Sequence, residues 1–274
     1  MEIQGNSTTS PSASLSTQAS HGQANKAKTG ISGGGISVSW ARHLDEVREV
    51  QRLRYEVFAG EMGARLDTPI AGHDVDAFDD YCEHLIVREP QGGRVIGTYR
   101  VLTPTQARRL GSTYTATEFD ISALHLLLPR TLEVGRSCVH PDHRQGGVIM
   151  ALWSALGAFM AGNGLDAMLG CASIPMVQDG RISGDAAASL WRKLRVSHMA
   201  PAELQVTPRV RLPVERFDSS LEIKPPALIQ GYLRLGAQVL GPPAWDPCFN
   251  TADLPILMRT QHLAERYRRH FLGE

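Results

Sequence analysis

The sequence predicts a mixed α/β architecture, a sheet with helices on both of its faces. Three observations lead there. Residues 82–89 and 94–103 read as two strands on either side of Pro90-Gln91-Gly92-Gly93, the signal of an antiparallel hairpin. Residues 130–139 form a strand-like run that passes through a glycine-containing turn into an uncharged, helix-length stretch, and residues 165–174 form another apolar strand, so the middle of the chain reads as a helical crossover. Residues 44–62 place Val47, Val50, Leu53, Val57 and Phe58 at helical spacing, which makes one apolar stripe.

Taken in order, the first 35 residues hold 11 Ser/Thr and 6 Gly and cannot bury enough apolar surface to offset the entropy of ordering. They are expected to be a disordered tail, without the apolar stretch of a signal peptide or the arginines of a transit peptide. Gly30-Ile31-Ser32-Gly33-Gly34 spells a nucleophile elbow but lacks the strand and helix that such an elbow needs. Residues 36–274 are then expected to form one domain, opening with a short strand at 36–40. Arg54 falls inside the apolar stripe of 44–62. Either it meets a carboxylate or an anion, or its stem packs while its head reaches water.

Residues 65–81 read as a loop, with Asp67, Asp74, Asp76, Asp79 and Asp80 crowded among glycine and proline. On the next hairpin Ile96, Thr98, Arg100 and Leu102 are expected to share a face, which puts a second arginine among apolar neighbours. A short helix is expected over 104–110. His140-Pro141-Asp142-His143-Arg144-Gln145-Gly146-Gly147 links the strand at 130–139 to the helix from Val148, and a basic glycine-containing turn at a helix start suits an anion. Asp185 is placed as the N-cap of a helix running to Leu194. A helix over 226–235 ends at Gly236, and strands follow near 237–240 and 254–258. Arg266, Arg268, Arg269 and His270 lie beside Leu263, Tyr267, Phe271 and Leu272 in the last stretch. This is either an ordinary solvated helix or one lying on a membrane surface.

Composition excludes several classes. Lys+Arg and Asp+Glu each number 28, so the formal charge is zero, and a protein that binds nucleic acid by phosphate neutralisation is not expected. Cys82, Cys138, Cys171 and Cys248 are scattered and form no CxxC pair, which suits reduced thiols in a cytoplasmic protein. The uncharged run at 145–165 is interrupted by glycines and is read as a buried helix, not a membrane span. Walker A, dinucleotide and EF-hand patterns are missing, and no bound metal or cofactor is expected.

The strand at 130–139 carries Glu133 and Arg136. Strict alternation would send them to opposite faces, but Gly135 between them permits a bulge that brings both to one cleft. Glu133 is then either a general base beside an anion-binding turn or the partner of an internal ion pair with Arg136 or Arg100.

These segments carry a resemblance. Leu132-Glu133-Val134-Gly135-Arg136-Ser137-Cys138-Val139, the turn to Gly147 and the helix after it resemble the acyl-donor motif of the GNAT acyltransferase superfamily, with Ile149 where that motif has its second small residue. The resemblance implies a mostly antiparallel central sheet and a donor phosphate held at Val139, Arg144, Gly146 and Gly147. Within the superfamily, Arg54 with Phe58, Asp76 with Asp79, Arg100, and Glu133 with Arg136 match in order the signature of acyl-homoserine-lactone synthases. The ordered chain as a whole is most similar to bacterial L-ornithine Nα-acyltransferases of ornithine-lipid synthesis, including 225–237 and Phe249-Asn250-Thr251-Ala252-Asp253, which the lactone synthases lack. That likeness implies a 3-hydroxyacyl donor on the phosphopantetheine of acyl carrier protein, L-ornithine as acceptor, and a cytoplasmic enzyme that can work at the inner-membrane surface. It makes Glu133 and Arg136 the catalytic pair and places Arg54, Phe58, Asp76, Asp79 and Arg100 around the substrates. Asp76 and Asp79 either bind the cationic acceptor or pair with Arg54 and Arg100. Lactone synthesis, or acylation of glycine, glutamine or lysine, is the alternative activity.

Overall fold

The structure, a computed structural model, describes residues 35–90, 93–178, 180–263 and 265. The tail, the elbow-like letters at Ser32 and the basic C-terminal stretch from Arg266 lie outside these residues.

Strands β1 (Ser37–Trp40), β2 (Glu83–Arg88), β3 (Val95–Leu102), β5 (Thr131–Val139), β6 (Ala167–Pro175), β12 (Thr251–Arg259) and β10 (Gln238–Val239) lie side by side in that order, with β11 (Ala244–Asp246) also paired to β12. Two further pairs, β4 (Phe119–Asp120) with β9 (Thr207–Pro208) and β7 (Val177–Gln178) with β8 (Arg181–Ile182), stand apart from the main sheet. Every neighbour in the main sheet is antiparallel except β5 and β6. Those two are parallel because helix α4 (Gly147–Gly162) carries the chain back across the sheet between them, as a parallel pair requires.

Helices cover both faces. On one face α1 (Leu44–Tyr55) buries Val50 and Leu53 against Ile86, Val95 and Cys138. On the other, α4 sets Val148, Leu152 and Leu156 against Leu85, Val87, Tyr99 and Val101, which alternate with Ile86 along their strands. A Cβ on Gly97 would sit 2.5 Å from a Val148 methyl, so the glycine is what lets α4 approach β3 this closely. Helices α5 (Asp185–Ser197) and α6 (Ala227–Arg234) extend the second layer over β6 and β12.

The short helix α2 (Pro104–Leu110) begins with a capping box between Thr103 and Gln106 and stops at Gly111, whose φ of 83° provides the left-handed turn a helix end favours. The five-residue α3 (Tyr114–Glu118) was not expected from the sequence. Its start at Thr113 matters for the site described below.

Some expectations need correction. The first helix does not stay α-helical to Met62: from Glu56 to Glu61 it continues as a π-helical turn. Ile96 leaves the Arg100 face, because the β2–β3 register shifts between Val87 and Arg88 and Ile96 packs with Tyr99 and Val101 instead. Asp185 is the first helical residue after the N-cap Gly184, and it accepts the Asp218 backbone N–H, not an N–H of its own helix. Strand β11 was missed, since Trp245 is flanked by proline-rich turns that hide any alternation. Among the described residues no helix is long and apolar enough to cross a membrane.

Candidate active site

Strands β5 and β6 are in register only from Thr131↔Ala167 to Glu133↔Leu169, although both run several residues further. Beyond Glu133 they part. At the same point β5 departs from β3: Thr98 faces Cys138 while Arg100 faces Gly135, so one extra residue is accommodated on β5. That residue is Arg136, whose φ of 48° lies in the left-handed region disfavoured for side chains with a Cβ. The bulge predicted at Gly135 is present, with its strained residue one position later. It brings Glu133 and Arg136 to one cavity of about 200 Å³, also lined by Phe58, Tyr99, Arg100, Tyr114, Cys171, Asp246, Phe249 and Asp253.

Beside the cavity three arginines and three aspartates form a closed network. Arg54, fully buried, donates from Nε to Asp74 Oδ2 at 2.7 Å and from Nη1 to Asp79 Oδ1 at 2.9 Å. Arg100 Nη1 lies 2.5 Å from Asp76 Oδ1 and 3.0 Å from Asp79 Oδ1. Arg136 closes the ring through Nη2 to Asp76 Oδ2 at 3.1 Å and Nε to Asp74 Oδ2 at 3.3 Å. Gln51 adds a hydrogen bond to Asp79 Oδ2 at 3.0 Å. Burial opposes ionisation of Asp79, but the charge and hydrogen bonds of Arg54 prevail, joined by Arg100, and hold its carboxyl well below the usual range. Asp76 is held down likewise against burial by Arg100 and Arg136. Of the two roles open to Asp76 and Asp79, ion pairing is realised for both. Asp74 was not singled out as a site residue, although it stood in the same aspartate-rich loop.

Glu133 is differently held. Its Oε2 accepts the Tyr114 N–H at 2.7 Å, and its Oε1 accepts the Thr115 N–H at 2.7 Å and the Thr115 hydroxyl at 2.6 Å. The carboxylate therefore occupies the start of α3, where N–H groups lack helical partners. No ion pair joins it to Arg100 or Arg136 among the described residues, so the expected alternative of an internal salt bridge is replaced by this helix contact. Burial outweighs the three hydrogen bonds and pushes its pKa up.

Aromatic rings complete the wall. The Arg136 guanidinium carbon lies 4.9 Å and 4.8 Å from the ring centres of Tyr114 and Phe249, within cation–π range. The Tyr99 hydroxyl meets that of Tyr232 from α6 at 2.5 Å and accepts the Trp153 indole N–H at 3.2 Å. Tyrosines on separate elements have no common spacing, so sequence reading had no signal for them. A second, mostly apolar cavity of about 370 Å³ lies between α2, α3 and β5, and Leu102 and Glu133 line both spaces.

The basic, glycine-containing turn joins β5 to α4 as the sequence predicts. Val139 ends β5, Gly146 has a φ of 98° that only glycine adopts freely, and Gly147 opens α4. Arg144 donates to the Val139 carbonyl at 3.1 Å and makes a bidentate pair with Glu61 at 2.6 Å for each bond. Both partners of that pair are largely exposed. All four cysteines are free, and burial pushes the Cys82 and Cys138 thiols up to about 12.

Comparison with known proteins identifies the family to which this fold belongs. The family of acetyltransferase (GNAT) domains matches residues 53–154. The L-ornithine N(alpha)-acyltransferase of Agrobacterium fabrum is 34% identical over 259 residues, covering 88% of this chain and 86% of that protein. The enzyme of the same name from Rhodobacter capsulatus is 34% identical over 251 residues, covering 84% and 92%. Among solved structures, a CoA-dependent acyl-homoserine lactone synthase superposes with a TM-score of 0.52 at 17% identity over 87% of this chain and 90% of that one, a likeness of fold alone.

Proposed function

Because the chain belongs to the family of L-ornithine N(alpha)-acyltransferases, an assignment its GNAT fold supports, we propose that it transfers a 3-hydroxyacyl group from acyl carrier protein to the α-amine of L-ornithine. The observation that carries this reading is the identity of about one third with enzymes of that name along nearly the whole chain. The product, an N-acylated ornithine, is a lyso-ornithine lipid.

The residues support a direct attack. The neutral α-amine adds to the thioester carbonyl, the C–N bond forms, the C–S bond breaks, and the pantetheine leaves as its thiol. Glu133, buried and with its pKa raised, takes the proton lost by nitrogen, directly or through water, and that proton passes on to the departing sulfur, which leaves the carboxylate ionised again. Backbone N–H groups of β5 after the bulge, near Arg136 to Val139, provide donors for the oxyanion where β6 has moved away. Arg136 holds the shape of that bulge through its ion pairs and ring contacts. Arg144 and the amides of Gly146 and Gly147 bind the single phosphate of phosphopantetheine, for which Arg144 exchanges its exposed partner Glu61. The apolar space that meets the polar cavity at Glu133 suits the acyl chain. Arg54, Arg100, Asp76 and Asp79 keep Phe58 and the end of α1 against the sheet.

Expression in a host that lacks aminolipids tests the reading. Lipid mass spectrometry is expected to show N-acylornithine bearing a 3-hydroxyacyl chain. Accumulation of acylated glycine, glutamine or lysine instead, or of an acyl-homoserine lactone, would contradict it.

A further inference from the structure

A second group of charges, of which Asp246 and Asp253 line the cavity, takes no part in the ion pairs of the arginine network. Glu118 ends α3, Asp246 ends β11 and Asp253 lies in β12, and their carboxylates come within 4.8 Å of one another. Strand register explains the convergence. Thr251 pairs with Asp246 across β11 and β12, and Asp253, two residues on, points to the same side as Thr251.

These groups are left open. Asp253, 4% exposed, has an Oδ1 without a hydrogen-bond partner, and the same holds for Glu118 Oε2 and for the hydroxyl of Thr251, which is 1% exposed. Asp246 spends one oxygen on the Cys248 and Phe249 N–H groups of the following turn. No described arginine, lysine or histidine forms an ion pair with any of the three acids. Burial, reinforced by the neighbouring carboxylates, raises the pKa of both Glu118 and Asp253. The hydroxyls of Thr251 and Ser173 favour the Asp253 carboxylate and that of Tyr114 favours Glu118, yet no described cation pairs with the three acids. Buried acceptor oxygens short of donors are costly, so the arrangement calls for a cation that brings several N–H groups.

We propose that Glu118, Asp246 and Asp253, with the Thr251 hydroxyl, form the pocket for the side-chain ammonium of the acceptor amino acid. The proposal rests on the reading of the chain as an amino-acid N-acyltransferase and names what distinguishes a diamino acid from glycine or glutamine. An ammonium has three donors to offer and no acceptor, which matches three carboxylates and a hydroxyl oxygen that can all accept. Asp246 and Asp253 share one cavity with Glu133, so one acceptor molecule can place its distal ammonium on the acids while its α-amine lies at the base.

The test compares L-ornithine with L-norvaline, which has the same carbon skeleton without the terminal amine. In Asp253→Asn the ratio of kcat/KM for ornithine to that for norvaline should fall about ten- to a hundredfold, mostly through KM for ornithine, as expected for loss of a charged hydrogen bond. An equal loss with both acceptors would assign Asp253 to structure and overturn the proposal. So would a wild-type activity abolished by EDTA and restored by calcium or manganese, which would make the cluster a metal site. If Asp253→Asn does not fold, the partly exposed Asp246→Asn is read in the same way. Thermal stabilisation by ornithine over norvaline, measured without any acyl donor, separates this proposal from the one it rests on. Asp253-dependent stabilisation in a protein that transfers no acyl group would support the pocket and discard the activity.

Discussion

Glu133 illustrates how one residue is prepared for its task by competing effects. Its three hydrogen bonds from Tyr114 and Thr115 favour the carboxylate, while burial favours the acid, and burial prevails. The carboxyl is fixed in position and less acidic than a free glutamate, which suits the base of the proposed reaction, closer to the pH at which it would accept a proton. Glu133→Gln keeps the shape and removes the base. Its kcat should drop by about 10²- to 10⁴-fold with the melting temperature preserved, as steady-state kinetics and calorimetry would show. Wild-type kcat/KM should fall at acid pH with a midpoint above 4.5, the ordinary glutamate value, because only the ionised form accepts a proton. Thr115→Val removes one donor to the carboxylate, so its midpoint should lie at still higher pH. An unmoved midpoint would show that another group sets the acid limb.

Helix α1 is attached to the sheet by charge as well as by its apolar stripe. Asp79 is the shared acceptor of Arg54 on the helix and Arg100 on β3, and removing one member of such a buried set leaves the others uncompensated. Asp79→Asn should cost about 3–5 kcal/mol. For a chain of this size that lowers the melting temperature by roughly 10 °C. The sign with pH follows from the depressed carboxyl. Its contribution is complete above the ordinary aspartate value of 3.8 and disappears as pH falls through the lower folded value, so the deficit of the variant should shrink in acid. Thermal unfolding of both proteins between pH 3 and 7 would reveal this; a deficit that is constant with pH would contradict it. This level of structure was also the most legible from sequence. Arg54 and Arg100 stood out as charges in apolar stripes, and the aspartate-rich loop supplied their partners. The π-helical turn at Phe58, strand β11 and helix α3 were not legible, because each is defined by contacts across the fold and not by any local period.

At the scale of the molecule, a net charge of zero conceals two separate groups around one cavity. The three arginines and three aspartates cancel one another, while Glu118, Asp246 and Asp253 remain without a cation among the described residues. Most of the first group was legible, Arg54 and Arg100 from their place in apolar stripes and Asp76, Asp79 and Arg136 from the resemblance, while Asp74 was not. The second could not, since its members lie 128 and 7 residues apart, although Asp253 falls in a segment that marked the resemblance to ornithine acyltransferases. The splayed strands and the two cavities converge at Glu133, where in the proposed reaction thioester, amine and base would have to meet. The most direct measurement is an assay of the purified chain with 3-hydroxyacyl carrier protein and L-ornithine, followed by fragmentation of the product to locate the acyl group. The account predicts acylation on the α-nitrogen by the wild type and its near loss in Glu133→Gln. Acylation on the δ-nitrogen, or equal product from both proteins, would contradict it.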